Sequence, residues 1–330
     1  MSSKEEKPKK KRKVYLYTRF LIFVDICAII CFVLVYGVNY FQNLIVTNAL
    51  TSKSHRYFAY IFYNEDMVKE IANRNITVES SDKTDTSAIK FTEITEQDTY
   101  ESIYEEQILK KDKDNDLYKL IKVDEKDYTA YITVIYDPSR ISLVEATNLS
   151  NGGQNVQTMA KNNKAKVAIN AGPAYVRGHS LDPRGVYIEN GKVKHNSGRS
   201  EKLIGFNKDN VLVLSRMTAE EAIEQYIRDA VVFGPYLIIN GKASKFKGDG
   251  GYGDRPRTAI GQRQDGIVLL VVVDGKHGLT GITMKGLTDL FIRYKAYNAA
   301  NLDGGGSSTL VIEEKLINRP VSWSYVGKRH

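Results

Sequence analysis

Cysteine is almost absent from this chain. Its 330 residues hold two, Cys27 and Cys31, alongside five histidines and one tryptophan. Both cysteines lie in one apolar run, so the rest of the chain has no disulfide framework. Secreted eukaryotic domains usually carry one, and a bacterial surface protein facing a cell wall fits this usage better. The few histidines argue against zinc. His179 and His195 fall in loops without ligand-like spacing, and His277 has no second histidine three or four residues away. Other signatures are missing too. The glycine-rich string near residue 305 has no following lysine, which excludes a P-loop, and it lacks the G-x-S-x-G spacing of a nucleophile elbow. Lys110-Lys111-Asp112-Lys113-Asp114-Asn115-Asp116 lacks the Gly and terminal Glu of an EF-hand. It reads as a solvated stretch of alternating charge. No internal repeat is visible.

The formal net charge of +8 is concentrated at one end. Residues 1–13 hold seven Lys or Arg against two Glu, which is +5 and leaves +3 for the remainder. Nucleic acid is therefore not an expected partner. Leu16 to Val38 is almost wholly apolar, interrupted by Arg19 and Asp25, and is about long enough to cross a bilayer. A basic cluster just before such a helix keeps that end in the cytoplasm. Asp25 either pairs with a partner helix or sits near the inner interface. A cleaved signal peptide is the alternative, but Thr47-Asn48-Ala49 is a poor cleavage site. The expected organisation is a basic cytoplasmic tail over 1–15, an uncleaved transmembrane anchor over 16–38, a helical stalk and polar linker over 39–127, and an extracellular globular domain over 128–330.

Within that domain, Tyr131 to Tyr136 and Ile141 to Ala146 read as strands. Asn155 to Lys161 reads as a short helix and Lys166 to Ile169 as a buried strand. Gly185 to Ile188, Asn190-Gly191 and Lys192 to Lys194 form a hairpin with a favoured turn. Thr218 caps a helix to Ile227, with Glu221 three residues on. Tyr236 to Ile239 is a further strand. Lys247 to Gly253 is a Gly-rich loop, either plain or a lid. Ile267 to Val273 is a strand buried on both faces. Thr283 caps a helix in which Leu287, Leu290, Phe291 and Tyr294 recur at helical spacing. The mixture predicts an α+β fold, a mixed sheet with packed helices, preceded by the transmembrane helix.

The stretch with most chemistry is Asn301-Leu302-Asp303-Gly304-Gly305-Gly306-Ser307-Ser308-Thr309. Three successive glycines suit left-handed backbone or close approach to a ligand. They follow a helical pattern and precede an apolar strand, Thr309 to Ile312, so their N–H groups can turn toward an anion. Asp303 adds a carboxylate, and Ser307, Ser308 and Thr309 add three hydroxyls. A phosphate or sugar site is implied, with a divalent cation, calcium or magnesium, as an option; no metal ligand set can be named.

This string, preceded by Arg257-Thr258-Ala259-Ile260-Gly261 and Val273-Asp274-Gly275, resembles the phosphodiester glycosidase family over roughly Tyr128 to Pro320. The resemblance implies hydrolysis of a sugar-1-phosphodiester of the N-acetylglucosamine type. At the end of the 166–169 strand the family usually reads Asn-Gly-Gly followed by an aromatic. Here Asn170 is retained, while Ala171 and Pro173 depart from the pattern. Asn170 is either a turn residue or a holder of a sugar hydroxyl or carboxylate. Arg184 either faces the site or lies on the surface.

Cutting a sugar–phosphate bond at the sugar carbon releases a phosphate monoester, which is already a stable anion. It needs cationic and N–H partners, assigned to Arg257, whose fork matches two phosphate oxygens, and to Gly304 to Gly306. The opposite face of the sugar needs a carboxylate as base or nucleophile. Asp303 is the first candidate and Asp274 the second. Attack at phosphorus would instead use metal-bound water, with both aspartates as oxygen ligands. Thr258 and Asn301 are expected to bind substrate beside them. The expected substrate partner is a cell-wall or exopolysaccharide polymer. A glycan-binding scaffold that has lost catalysis is the competing reading, prompted by Ala171 and Pro173.

Overall fold

A computed structural model describes residues 9–51, 56–80, 82–93, 99–276 and 280–321. The first eight residues of the basic tail, His277 and everything after Val321 lie outside the described residues. The chain divides into two compact units, Met1–Asn75 and Ile76–His330.

The first unit is helical: Lys9–Gly37, Asn39–Thr51, Phe58–Phe62 and Glu65–Arg74. Tyr15–Gly37 is a 23-residue apolar helix, long enough to span a bilayer. The shorter helices gather around Val46, Ala59, Tyr63, Val68 and Ile71. Asn64 caps the last of them by accepting the Met67 N–H at 2.9 Å.

The second unit starts well before Tyr128, which corrects the expected boundary. Strand Thr77–Val78 pairs with Lys245–Phe246, and the Lys90 N–H donates to Gln264 O at 2.7 Å. Helix Ile103–Leu109 and strand Tyr118–Asp124 follow, the latter paired along its length with Tyr128–Ile135. Interleaved charges hide these elements from a reading by composition. Lys119 and Lys122 fall on opposite faces and interrupt the apolar residues of the strand, so no period-2 pattern marks it.

The central sheet has seven strands in the order Lys242–Ala243, Tyr236–Ile239, Ala296–Asn301, Arg257–Arg263, Val268–Gly275, Tyr128–Ile135, Tyr118–Asp124. A second sheet has five, and a third joins Lys315–Leu316, Leu310–Ile312 and Val167–Ile169. Among the described residues every strand pair is antiparallel. The α+β class holds, with antiparallel sheets in place of a mixed one.

Helix Met284–Arg293 covers one face of the central sheet. Thr283 caps it by accepting the Gly286 N–H at 3.1 Å. Leu287, Leu290, Phe291 and the following Tyr294 pack on Ala259, Val271 and Val273. Each such side chain contributes roughly 1.5–3 kcal/mol by leaving water. On the other face Ile260 and Leu270 meet Ile204 and Phe206 of the five-stranded sheet.

Three expected elements differ. The helix capped by Thr218 ends at Glu224, and Ile227 opens a strand. Ile141 to Ala146 is irregular and joins no ladder. Helix Met284–Arg293 does not lead straight to Asn301, because strand Ala296–Asn301 intervenes. Alanine and asparagine are poor strand formers. Here they fit because the strand lies between two others, pairing with Arg257–Arg263 and Tyr236–Ile239.

Arg263 ties the N-terminal part of this unit to the sheet. Its buried guanidinium donates to Glu105 at 2.8 Å, to Asp265 at 2.7 Å and to Tyr294 O at 3.1 Å. Removing one partner of a buried pair leaves the other charge uncompensated. Arg263→Met is expected to cost about 3–5 kcal/mol in urea unfolding followed by circular dichroism; a midpoint equal to wild type would contradict this placement.

Candidate active site

One end of the central sheet gathers the site. The strand Arg257–Arg263 begins there, while Val268–Gly275 and Ala296–Asn301 end there. Strand side chains alternate between faces. Thr258 pairs with Val272 and Arg257 with Val273, so Thr258 and Asp274 share one face and Arg257 takes the other.

On the first face the organiser is Asn170. Its Nδ2 donates to Asp303 O at 2.5 Å. Its Oδ1 accepts the Thr258 hydroxyl at 2.8 Å and the Thr309 N–H at 3.0 Å. One amide thus joins three segments that are far apart in sequence. It can do so because Ile169 pairs with Leu310, which sets the next residue opposite Thr309. The Asp303 N–H donates to Ala171 O at 3.0 Å, so the wall built by Ala171 still supports the acid's backbone.

The triple glycine is half-buried and begins a short 3-10 turn, Gly305–Ser307. A Cβ on Gly304 would lie 3.1 Å from Pro256 O, and Gly305 has φ +62°, so close approach and left-handed backbone account for these two glycines. The expected cradle of N–H groups is only partly available. Gly305 N–H donates to Pro256 O at 2.8 Å, and the N–H groups of Ser307 and Ser308 donate to Gly304 O and Gly305 O.

Asp274 is buried and engaged. Its oxygens accept Asn318 Nδ2 at 2.8 Å and the Arg319 N–H at 2.5 Å. Asn318 also donates to Ser308 O at 2.8 Å and accepts the Leu310 N–H at 2.7 Å. The acid therefore fixes the glycine turn through Asn318. Burial is the largest influence on its carboxyl and raises its pKa above the ordinary value, against the lowering effect of Asn318 and Arg319.

Arg257 differs most from expectation. Its side chain is 5% exposed, and it donates to the carbonyls of Ile282 at 3.2 Å, Tyr252 at 2.9 Å and Gly253 at 2.7 Å. Burial, with Arg255 nearby, lowers its pKa to about 10, so it stays charged at neutral pH. The period-2 alternation of the strand turns this fork away from Thr258. It anchors the 247–253 loop, which is therefore tied down rather than hinged. Asn301 pairs with Ala259 and lies on this second face, donating to Gly234 O at 2.9 Å. Oδ1 of Asn301 and Oγ of Ser308 are buried with no protein partner. Such atoms are costly to leave unmatched.

Arg184 is exposed, with its guanidinium 3.3 Å from the centre of the Tyr175 ring. It lines a cavity of about 560 Å³ together with Asn170 and Leu302. No group of three or more His, Cys, Asp or Glu suited to a metal occurs among the described residues.

A sequence model of the phosphodiester glycosidase family matches residues 163–329. The chain belongs to the phosphodiester glycosidase family. Its relatives include the SPbeta prophage-derived uncharacterized protein YomE of Bacillus subtilis (strain 168), 30% identical over 177 residues, which are 50% of this chain and 27% of that protein. The human N-acetylglucosamine-1-phosphodiester alpha-N-acetylglucosaminidase is 26% identical over 186 residues, 50% of this chain and 35% of the relative. The chain thus spans only about a third or less of these relatives. The catalytic domain of the zebrafish enzyme of that name superimposes with a TM-score of 0.54 at 25% identity, over 63% of this chain and 78% of that one.

Three residues of this family member carry no mark of the site in the sequence. Asn318 lies near the end of the resemblance, where no motif singles it out. Lys202 and Glu79 form an ion pair, and Glu79 accepts the Tyr236 N–H at 3.2 Å. A Cβ on Gly234 would meet Lys202 Cδ at 3.3 Å, so the pair adjoins the carbonyl that Asn301 uses. Nothing in their local pattern signals this, because Glu79 arrives from the segment before the matched region.

The Asp274 carboxyl gives a signed pH dependence. Its folded pKa is raised, so its contribution is fully present below an unfolded value of about 3.9 and is lost as pH rises through the folded value. Wild-type stability measured relative to Asp274→Asn is expected to fall across that window in urea titrations at successive pH values. A difference independent of pH would contradict the burial argument.

Proposed function

We propose that this chain is a membrane-anchored extracytoplasmic hydrolase that cleaves sugar-1-phosphodiester linkages of the N-acetylglucosamine type in cell-wall or exopolysaccharide polymers. The tie through Asn170 carries this reading, because it holds Asp303 beside Thr258 and the glycine turn. Family membership supports a hydrolase of phosphodiester-linked sugars. The names of the human and zebrafish relatives support N-acetylglucosamine as the sugar. The 23-residue apolar helix supports anchoring, and the basic residues before it support a cytoplasmic N-terminus.

In this reading Asp303 is the carboxylate acting at the sugar carbon, as base or nucleophile. The leaving phosphate monoester needs charge stabilisation more than a proton. Arg257 is assigned to positioning, since its donors hold the 252–253 carbonyls and Ile282 O. Arg184 takes the phosphate role, because among the described residues no carboxylate pairs with it and it shares a cavity wall with Asn170. Asp274 is assigned to holding the turn through Asn318. Ser307, Thr309 and the amides of Gly304 and Gly306 are assigned to the remaining polar wall, while Asn301, on the Arg257 face, and the buried Ser308 are assigned to support. A divalent cation does not fit the donors well, because both oxygens of Asp274 already accept protein hydrogen bonds.

The commitment of Arg257 to backbone carbonyls favours one second reading, a glycan-binding scaffold without turnover. Incubation of the full chain with a panel of sugar-1-phosphodiesters separates the two. Turnover of the N-acetylglucosamine diester, reduced ~100-fold or more by Asp303→Asn, is the expected result. Saturable polymer binding that survives the substitution, with no sugar released, would establish the scaffold instead.

A further inference from the structure

A partly open hollow runs between the central, five-stranded and three-stranded sheets. A cavity of about 560 Å³ lies there, within the range of roughly 300–1,000 Å³ typical of small-molecule sites. Ile204, Phe206, Ile260 and Leu270 belong to the buried core and also line the hollow. Ile141 and Leu143, from the segment that joins no ladder, line it as well. The hollow is partly open to solvent, and more of its wall is apolar than polar, although Arg140, Glu145, Lys164 and Lys166 also line it. An apolar guest would take that apolar wall out of water.

The polar groups indicate what the guest is attached to. Asn170, the organiser of the candidate site, lines the cavity, and so does Arg184. The buried carboxylate of the wall, Asp229, is already engaged by Arg228 and by the Asn190 N–H. Arg140, Lys164 and Lys166 also line the hollow, but Arg184, whose backbone N–H donates to Pro173 O at 3.1 Å, is tied to the segment that follows Asn170 and so suits an anion at that end. Ala171 and Pro173, where this chain departs from the family pattern noted above, also line the cavity and add to its apolar character.

We propose that this cavity holds the apolar aglycone of the substrate, an alkyl or prenyl chain esterified to the sugar-1-phosphate, with the phosphate between Arg184 and Asn170. The inference rests on the phosphodiester reading and narrows its substrate class to sugar phospholipids.

The test uses the full chain in lipid nanodiscs with the methyl and n-octyl esters of N-acetylglucosamine-1-phosphate. The octyl ester is expected to have a kcat/KM at least tenfold above the methyl ester, and Leu143→Trp, which narrows the cavity, should bring that ratio toward one. Equal rates on the two esters in wild type would overturn the inference while leaving the hydrolase reading intact. If neither ester is cleaved, the hydrolase reading fails and calorimetry decides the cavity separately, with empty nanodiscs subtracted. Octyl phosphate binding at least tenfold tighter than methyl phosphate, and weakened by Leu143→Trp, would support an apolar-chain site. Equal affinities would overturn it. Should Leu143→Trp fail to fold, Ile141→Trp serves in its place.

Discussion

The site depends on one side-chain amide whose donor and acceptor are both engaged. Asn170 gives its N–H to the Asp303 carbonyl and receives the Thr258 hydroxyl and the Thr309 N–H. No aspartate could do the same, because a carboxylate has no N–H to offer the carbonyl. The third sheet sets the amide opposite Thr309, the central sheet supplies Thr258, and the glycine turn is held between them. Beneath it, Asn318 repeats the arrangement by linking Asp274, Ser308 O and the Leu310 N–H. Two asparagines thus orient a loop that three glycines would otherwise leave loose.

The two faces of the sheet end have different tasks. The face with Thr258 and Asp274 carries the tie to Asp303. The face with Arg257 and Asn301 holds backbone, and Arg257 there gathers three carbonyls from segments that would otherwise expose them. A buried cation whose Nε and Nη2 are given to three carbonyls acts as a structural clamp. In the proposed function the phosphate falls to Arg184 instead, whose guanidinium lies over the Tyr175 ring.

Much of this was legible in the sequence where a local rule applied. Thr283 and Thr218 cap their helices as their spacing indicates. Asn190-Gly191 turns the expected hairpin, both residues having positive φ. Asn170, Thr258 and the Asp303 loop come together as residue types suited to one site. The rest depends on long-range pairing that no window of sequence contains. Strand Ala296–Asn301 exists because two neighbours pair with it against its own propensity. The reach of the second unit back to Ile76 depends on pairings such as Thr77 with Phe246. Arg257 looked like a phosphate fork because its chemistry fits one, but the alternation of the strand decides which way it points.

The central claim is that the Asp303 to Thr309 turn is fixed by protein partners before any substrate arrives. Native-state hydrogen exchange, read residue by residue on the full chain, tests it most directly. The amides of Asp303, Gly305 and Thr309, bonded to Ala171 O, Pro256 O and Asn170 Oδ1, should be protected to nearly the level of the central strands. Exchange of these amides at the rate of an open loop, with the strands still protected, would contradict the account.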